Sequence, residues 1–562
     1  MSSGRKVSKS KTRRIEYAAD FETTTNANDC RVWLWGLASL DNPDDYEQGV
    51  HIHDFMDRVA ETNTVVSFHN LSHDGTFIMD WLFKNGYHHV ADNKRMPFQS
   101  FTTLISNTGK FYSITIRWKN GTNCELRDSL KKVPMSLKRA AEAFKLAELK
   151  GELDYHLYRE VGHLPTPEES DYMRRDTTIL AHIMAQVRAQ GMTRLTVASD
   201  SMAEYKELFG KTRFQKMFPV LSEAMDAEIR QAYRGGYTYA SERFKHRVMR
   251  SGMVFDVNSL YPAVMYNELL PYGQPEWFSG PPRPTKSHPL VIFSVEFTAT
   301  LKPDHIPIIQ IKKSSVFHDS EYIKEVKEPT IMHVTDIDWK LYNEHYDITV
   351  YSYGGGWRFK AMHGLFKEYI DKWSKIKAES TGGLREIAKL HLNSLYGKFA
   401  SNPNVTGKIP YLDGGVVKYR MGPQETRPPV YTAMGVFITS YARNITIRAA
   451  QTNYHTFAYA DTDSLHLLTL ERPTELDVHP HRMGAWKLEY TFRHALYVRA
   501  KFYLEQLRDG SMVVKIAGMP EAESAKLKFA DITDGRKLEG KLRPKNVPGG
   551  RVLLDESFTI KL

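Results

Sequence analysis

The sequence predicts a multidomain protein of mixed α/β (α+β) class, and three observations predict it. At 562 residues the chain is too long for one hydrophobic core and is expected to divide into three or four subdomains. Short apolar runs that end in acids at turns, such as Phe457-Ala458-Tyr459-Ala460-Asp461-Thr462-Asp463-Ser464, have the length and punctuation of strands. Elsewhere the apolar period lengthens to that of helices, after Thr166-Pro167 and again from Leu384 to Tyr396.

Composition narrows the function classes. Apolar content of 41% and charged content of 25% suit a soluble globular protein, and no run approaches the ~18 uninterrupted apolar residues of a membrane span. Cys30 and Cys124 lack zinc or redox spacing, so a reduced, intracellular setting is expected. A net charge of +10 favours a polyanionic partner, and 30 tyrosines with 27 phenylalanines fit base stacking as well as core packing.

Residues 1–14 carry Arg5, Lys6, Lys9, Lys11, Arg13 and Arg14 and no acid. No apolar segment of a secretory signal follows; a disordered tail with non-specific affinity for phosphates is expected. Ile15 to Thr23 reads as a strand placing Asp20 and Glu22 on one side, with Arg31 to Leu37 pairing against it. Val65-Val66-Ser67-Phe68 runs into His69-Asn70-Leu71-Ser72-His73-Asp74, a second strand leading to an acid at a turn. Thr166, Pro167 and Glu169 predict a helix start with a capping box. Tyr172 and Asp176, four apart, share a face of that helix, whose apolar stripe of Ile179, Leu180, Ile183, Met184 and Val187 continues to Gly191.

DxE on a strand, NxxxD after a second strand and YxxxD on a later helix together resemble the proofreading 3′-5′ DNA exonucleases. The resemblance implies a ribonuclease-H-like domain in which Asp20, Glu22, Asp74 and Asp176 hold two metal ions. One ion would lower the pKa of an attacking water and the other stabilise the leaving 3′-oxygen. Tyr172 would orient the water, Lys150 support the scissile phosphate, and Asn70, Ser129 and Leu130 contact DNA.

In the second half, Tyr233-Arg234-Gly235-Gly236 offers paired glycines whose amides can approach phosphate and an arginine that adds charge; a plain Gly-Gly turn carries the same signature. A strand ends in Asp256, and a turn leads to Ser259-Leu260-Tyr261-Pro262. On the predicted helix from Leu384, Ile387, Ala388, Leu390, Leu392 and Leu395 are apolar, while Arg385, Lys389, Asn393 and Tyr396 form a stripe opposite. Asp461 and Asp463, at i and i+2 of extended chain, can offer oxygens to one place, where a divalent cation relieves their repulsion. Alone, Asp-Thr-Asp also fits a solvated turn or a metal-dependent sugar-nucleotide transferase.

DxxSLYP, KxxxNSxYG, the YxDTDS run at Tyr459 and Lys501-Phe502-Tyr503 together resemble motifs A, B and C and the KxY pattern of family B DNA polymerases. That resemblance implies a right hand of palm, fingers and thumb. Asp256 and Asp463 would hold two Mg²⁺ ions (Mn²⁺ the alternative), with Asp461 essential beside them. Ser259 and Leu260 amides and Lys389, assisted by Arg385, would meet the triphosphate, with Asn393 on the same stripe. Tyr261 would lie under the sugar, and Tyr396 at the nascent base pair. Tyr233, Arg234, Gly235, Gly236, Lys501 and Tyr503 would bind DNA.

Ser129-Leu130-Lys131-Lys132, Ile308-Ile309-Gln310-Ile311-Lys312-Lys313, the run from Gly364 to Trp373 and Val547-Pro548-Gly549-Gly550 are similar to the protein-primed bacteriophage subgroup, the phi-twenty-nine-like replicases. The resemblance covers essentially everything after Arg14. It implies an exonuclease domain at 15–196, palm at 197–267 and 433–516, fingers at 366–400 and thumb at 517–562. An insertion at 268–365 would contact a terminal protein and DNA, and one at 401–432 would be a hairpin for processivity and strand displacement. His73 stands where the subgroup often has phenylalanine, Ala460 replaces a cysteine, and residues 517–562 differ most. The implied protein is a monomer in the cytoplasm of an infected bacterial host. Its partners would be primer-template and single-stranded DNA, dNTPs and a priming protein. A nucleic-acid-primed family B polymerase is the alternative, against which the first insertion argues.

Overall fold

The computed structural model describes residues 14–91, 95–148, 150–151, 153–154, 157–310, 322–473 and 475–561. Most of the basic tail lies outside them, as do Leu149 and the run Ile311-Lys312-Lys313. Among the described residues no helix is long and apolar enough to cross a membrane.

The strand Ile15–Thr23 sits inside an eight-stranded sheet, antiparallel to Val32–Ser39 and parallel to Thr64–Phe68, which in turn runs parallel to Asn123–Asp128. The helix Pro167–Ala189 opens with the capping box its sequence predicts. The Glu169 N–H donates to Thr166 Oγ1 at 3.2 Å, and the Thr166 N–H donates to Glu169 Oε2 at 3.0 Å. This helix lies close on the sheet because Gly36 has no side chain; a Cβ there would collide with Thr177 and Met173. The close approach brings Tyr172 and Asp176 over the strand that carries Asp20 and Glu22.

A second sheet of seven antiparallel strands holds Val248–Val257 between Trp486–Arg499 and Ser464–Leu467, with Phe457–Asp461 and Thr238–Ala240 beyond. Asp256 thus faces Ser464 across one ladder and Lys487 across the other. The stretch after this site folds as a four-stranded sheet in the order Leu270–Phe278, Tyr346–Met362, Leu290–Leu301, Glu325–Thr335, with the helix Asp336–His345 packed on it. The helices Lys367–Glu379 and Gly382–Phe399 follow. The second of these starts earlier than its apolar period suggests, since Gly383 is buried against Phe144 and Gln186 of the first domain, where a Cβ would not fit. Two long hairpins complete the chain, Asn404–Asp413 with Val416–Thr426 and Lys537–Val547 with Gly550–Thr559.

A buried ion pair ties the helix packed on the four-stranded sheet to the long helix that precedes Phe457–Asp461. Arg443 on the helix Thr432–Thr452 donates to Asp338 at 2.6 and 3.2 Å, and Ser440 and Thr335 hydroxyls donate to the same carboxylate at 2.8 and 3.1 Å. Burial alone would raise the Asp338 carboxyl, but the guanidinium outweighs it and holds the group below its ordinary value. Arg443→Met removes the cation and leaves an uncompensated buried carboxylate. The expected loss is about 3–5 kcal/mol, read as a lower urea midpoint at unchanged slope; a change under about 1 kcal/mol would show that the pair is solvated.

Candidate active sites

The first site gathers on the eight-stranded sheet. Asp20 and Glu22 come from its central strand, Asp74 opens the helix Asp74–Lys84, and Tyr172 and Asp176 come from the capped helix. Glu22, Asp74, Asp176 and Tyr172 are all buried. Lys150 forms an ion pair with Asp176 and stands 5.4 Å from the centre of the Tyr172 ring. Burial, then the charge of Asp176, raises Asp20 to about 7; burial, then Asp20, raises Glu22 and Asp74 well above the usual carboxylate range. Asp176 is also raised, by burial ahead of any opposing contribution from Lys150, and its Oδ1 is buried without a hydrogen-bond partner.

The second site lies where three strands of the seven-stranded sheet meet. The run at Asp461 is not continuous extended chain. One strand ends at Asp461, the next begins at Ser464, and Thr462 between them takes a left-handed φ of 61°. The strand, turn and strand that the run suggests are present, but the tight turn takes Asp463 off the strand that ends in Asp461, so the two do not share an extended strand face. Asp461 accepts from Lys501 Nζ at 2.8 and 2.9 Å and from Thr238 Oγ1 at 2.8 Å. Asp463 instead acts on Asp256, which burial and then the Asp463 charge raise to about 7, with Glu489 adding to the rise and Lys487 opposing it. Asp463 is itself raised, by burial and by the charge of Asp461, which also anchors Lys501.

Gly236 has a structural reason to be glycine. A Cβ there would stand 2.7 Å from Thr462 Cγ2, and the Thr462 N–H donates to the Tyr237 carbonyl at 2.7 Å. The Gly-Gly loop thus supports the strained turn of Thr462, a conformation costly for a β-branched residue. Arg234 is a correction. Its guanidinium is buried and donates to the carbonyls of Ala232 and His333 at 3.1 and 2.9 Å, so it braces the loop instead of presenting charge at the surface. Gly235 has open space around its Cα, and Tyr233 is half-buried beside Tyr396.

On the helix Gly382–Phe399 the predicted stripe holds: Asn393 is exposed and Arg385, Lys389 and Tyr396 are half-buried, while Ile387, Ala388, Leu392 and Leu395 are in the core. Lys389 pairs with Glu386 one turn away. Tyr261 and Tyr396 stack at 4.0 Å with 17° between their planes. Ser259 is left-handed and Leu260 begins the following helix, its side chain buried. Sequence reasoning missed Lys377, whose Nζ donates to Ser259 Oγ at 3.1 Å while its carbonyl accepts from Arg385 at 2.7 Å. No fixed spacing marks it; the one available signal is a lysine on the helix just before the basic stripe.

The DNA-contact candidates near the first site divide. Asn70 is exposed, left-handed, and held by its N–H to Asp128 at 3.2 Å. Leu130 is half-buried. Ser129 is a second correction, buried with its hydroxyl bonded to His69 Nδ1 at 2.8 Å. Lys501 is 59% exposed even while paired with Asp461, and Tyr503 packs on Tyr459 at 4.9 Å.

Among the described residues, no group of three or more histidine, cysteine, aspartate or glutamate side chains is drawn close enough to hold an ion as it stands. Both carboxylate sets nevertheless fit a hard divalent cation. They offer oxygen donors, their members raise one another, and Asp176 leaves a buried oxygen unpartnered. A carboxyl raised in the folded state contributes stability while protonated, and that contribution fades as pH rises through about 7 for Asp20 and Asp256. A bound cation replaces the proton above that pH. Scanning fluorimetry is therefore expected to show a larger Mg²⁺-induced rise in Tm at about pH 8 than at about pH 5.5; an equal rise at both would contradict the assignment.

Asp256 near the end of one strand and Asp463 in the turn before its neighbour suit a nucleotidyl-transferring polymerase, and a family model described as "DNA polymerase type B, organellar and viral" matches residues 56–167 and 165–479. The DNA polymerase of Bacillus phage phi29 is 43% identical over 98% of this chain and 99% of its own. Two solved structures of the phi29 enzyme, one with primer-template DNA and incoming nucleotide substrates and one with single-stranded DNA, each match at a TM-score of 0.92 and 42% identity, covering 98% of this chain and 100% of theirs. The chain belongs to the family B DNA polymerases, as a phi29-like, DNA-directed DNA polymerase with exonuclease and polymerase domains.

Proposed function

We propose that this polymerase is protein-primed, processive and strand-displacing, that it proofreads with a 3′-5′ exonuclease, and that it replicates linear viral DNA in the cytoplasm of an infected bacterium. The observation that carries the reading is two separate buried carboxylate sites on one chain, one on each sheet. The phi29 relationship supports primer-template DNA, single-stranded DNA and dNTPs as partners, and a terminal protein as the first primer. The domain boundaries expected from the sequence are part of the same proposal, with the protein acting as a monomer.

At the polymerase site Asp256 and Asp463 would hold the ions, and Mg²⁺, when bound, supplies activation of the primer hydroxyl and neutralisation of the pyrophosphate. The chain's own residues do the rest. Lys389, freed from Glu386, and Lys377 at Ser259 set positive charge where the triphosphate enters between the two helices and the Ser259 turn. The stacked Tyr261 and Tyr396 form a floor that a ribose 2′-hydroxyl would crowd. Asp461 holds Lys501, which would meet the primer end. At the exonuclease site Asp20, Glu22, Asp74 and Asp176 would hold ions, with Tyr172 beside Asp176 placed to orient water and Lys150 to meet phosphate.

Strand displacement rests on the two long hairpins. Gly407 bridges to Ser106 of the exonuclease sheet, and Asn546 Nδ2 of the thumb donates to the Val417 carbonyl at 2.7 Å, so hairpin, thumb and exonuclease meet. The test is a primed single-stranded DNA circle with dNTPs and Mg²⁺. Product longer than one circle is expected; synthesis that stops at the primer's 5′ end would demote the enzyme to gap filling. Protein priming is tested by transfer of a labelled nucleotide to a side-chain hydroxyl of the cognate terminal protein.

A further inference from the structure

The thumb hairpin reaches across the molecule to the exonuclease. Val547 and Val552 are buried in the same apolar cluster as Phe77 and Ile78 of the helix Asp74–Lys84 and as Val417 of the 404–426 hairpin. Gly549 and Gly550 allow this approach: a Cβ on Gly550 would stand 2.7 Å from Phe77 Cζ, and the Gly549 N–H donates to Asp80 Oδ1 at 3.3 Å.

Arg551 sits at the centre of this contact. Its Nη1 donates to the Ser72 carbonyl at 2.5 Å, and its Nε donates to Asn546 Oδ1 at 2.8 Å. Asn546 passes the connection to Val417 of the hairpin. Ser72 lies two residues before Asp74, in the turn that runs from Asn70 through His73 into the helix. His73 holds the other side of that turn, with Nε2 3.1 Å from Thr23 Oγ1 of the strand carrying Asp20 and Glu22. A guanidinium fork can grip two acceptors in fixed directions, which a flexible ammonium cannot. One thumb residue therefore joins three subdomains at the turn that presents a candidate metal ligand, and the charge that acts on its cation from that turn is Asp74 itself.

We infer that Arg551 is a positioning residue for the exonuclease, fixing the Asp74 turn only while thumb and hairpin are clasped against it, so that proofreading depends on a closed clasp. The inference rests on the exonuclease reading above. Carboxylates misplaced by a fraction of an ångström lose much of their effect on a reacting group.

The test uses the full chain with a short single-stranded oligonucleotide for degradation and a primer-template at saturating dNTPs for synthesis. Arg551→Met keeps the aliphatic bulk and removes both donors. Its degradation rate at saturating Mg²⁺ is expected to fall on the order of tenfold, with synthesis on the primer-template unchanged. The Mg²⁺ concentration for half-maximal degradation is expected to rise. A fall in that concentration would show that Arg551 acts only as a charge repelling the metal, and would overturn the positioning role. Unchanged degradation, or equal loss of both activities, would overturn it as well. Arg551→Lys, which keeps the charge and most of the bulk but has a single donor nitrogen in place of the fork, is expected to restore part of the rate and guards against a folding defect in the methionine variant. Absence of degradation by the unmodified chain would instead remove the exonuclease reading itself.

Discussion

Asp463→Asn is expected to abolish DNA synthesis, lowering the rate on the order of 10³-fold or more, while leaving degradation of single-stranded DNA intact. The substitution is isosteric and removes one carboxylate of the Asp256–Asp463 pair. Because the Asp463 charge raises its neighbour Asp256, the variant should fold at least as stably as the parent, so lost synthesis cannot be read as lost structure. Asp461→Asn is a weaker change by the same geometry. An asparagine there still accepts from Thr238 and Lys501, whereas no neutral side chain replaces the charge that Asp463 places beside Asp256. Steady-state primer extension on a gapped template reads both effects.

The reciprocal change is Asp20→Ala with Asp74→Ala. Degradation is expected to fall by a similar order, about 10³-fold, with extension of a matched primer retained. Asp74 opens a helix, where a carboxylate is worth about 0.3–1 kcal/mol against the helix dipole, but it is also buried, and burial, then Asp20 and Asp128, raise it. These contributions oppose, and the double variant should keep its cooperative unfolding transition. A mispaired 3′ end should then persist in the product instead of being trimmed.

Much of the architecture is legible in the residues themselves. The capping box of Thr166 and Glu169, the alternation of Ile15 to Thr23 and the stripe from Arg385 to Tyr396 are local patterns, and local hydrogen bonding and periodicity enforce them. The candidate metal-ligating aspartates stand out because acids at the ends of apolar strands have no packing reason to be there. What the sequence hides is which partner each polar group finds. Arg234 reads as a surface charge beside two glycines, yet its guanidinium is buried among carbonyls, and Ser129 reads as a DNA contact although His69 takes its hydroxyl. The i, i+2 rule fails at Asp461 and Asp463 because Thr462 turns left-handed, a choice dictated by Gly236 more than 200 residues earlier in the chain. Lys377 and Arg551 escape for the same reason. Arg551 meets Ser72 across 479 residues of sequence, and no spacing or period records a contact of that range.

The central claim is that one chain carries two independent metal-dependent sites that act on the same DNA end. A single experiment addresses it: an end-labelled primer annealed to a longer template, incubated with Mg²⁺ over a dNTP series that starts from zero. The parent chain should shorten the primer without dNTPs and extend it as they rise. Asp463→Asn should only shorten it at every dNTP concentration, and Asp20→Ala with Asp74→Ala should only extend it. Extension by the Asp463 variant, or simultaneous loss of both activities in either folded variant, would contradict the two-site account.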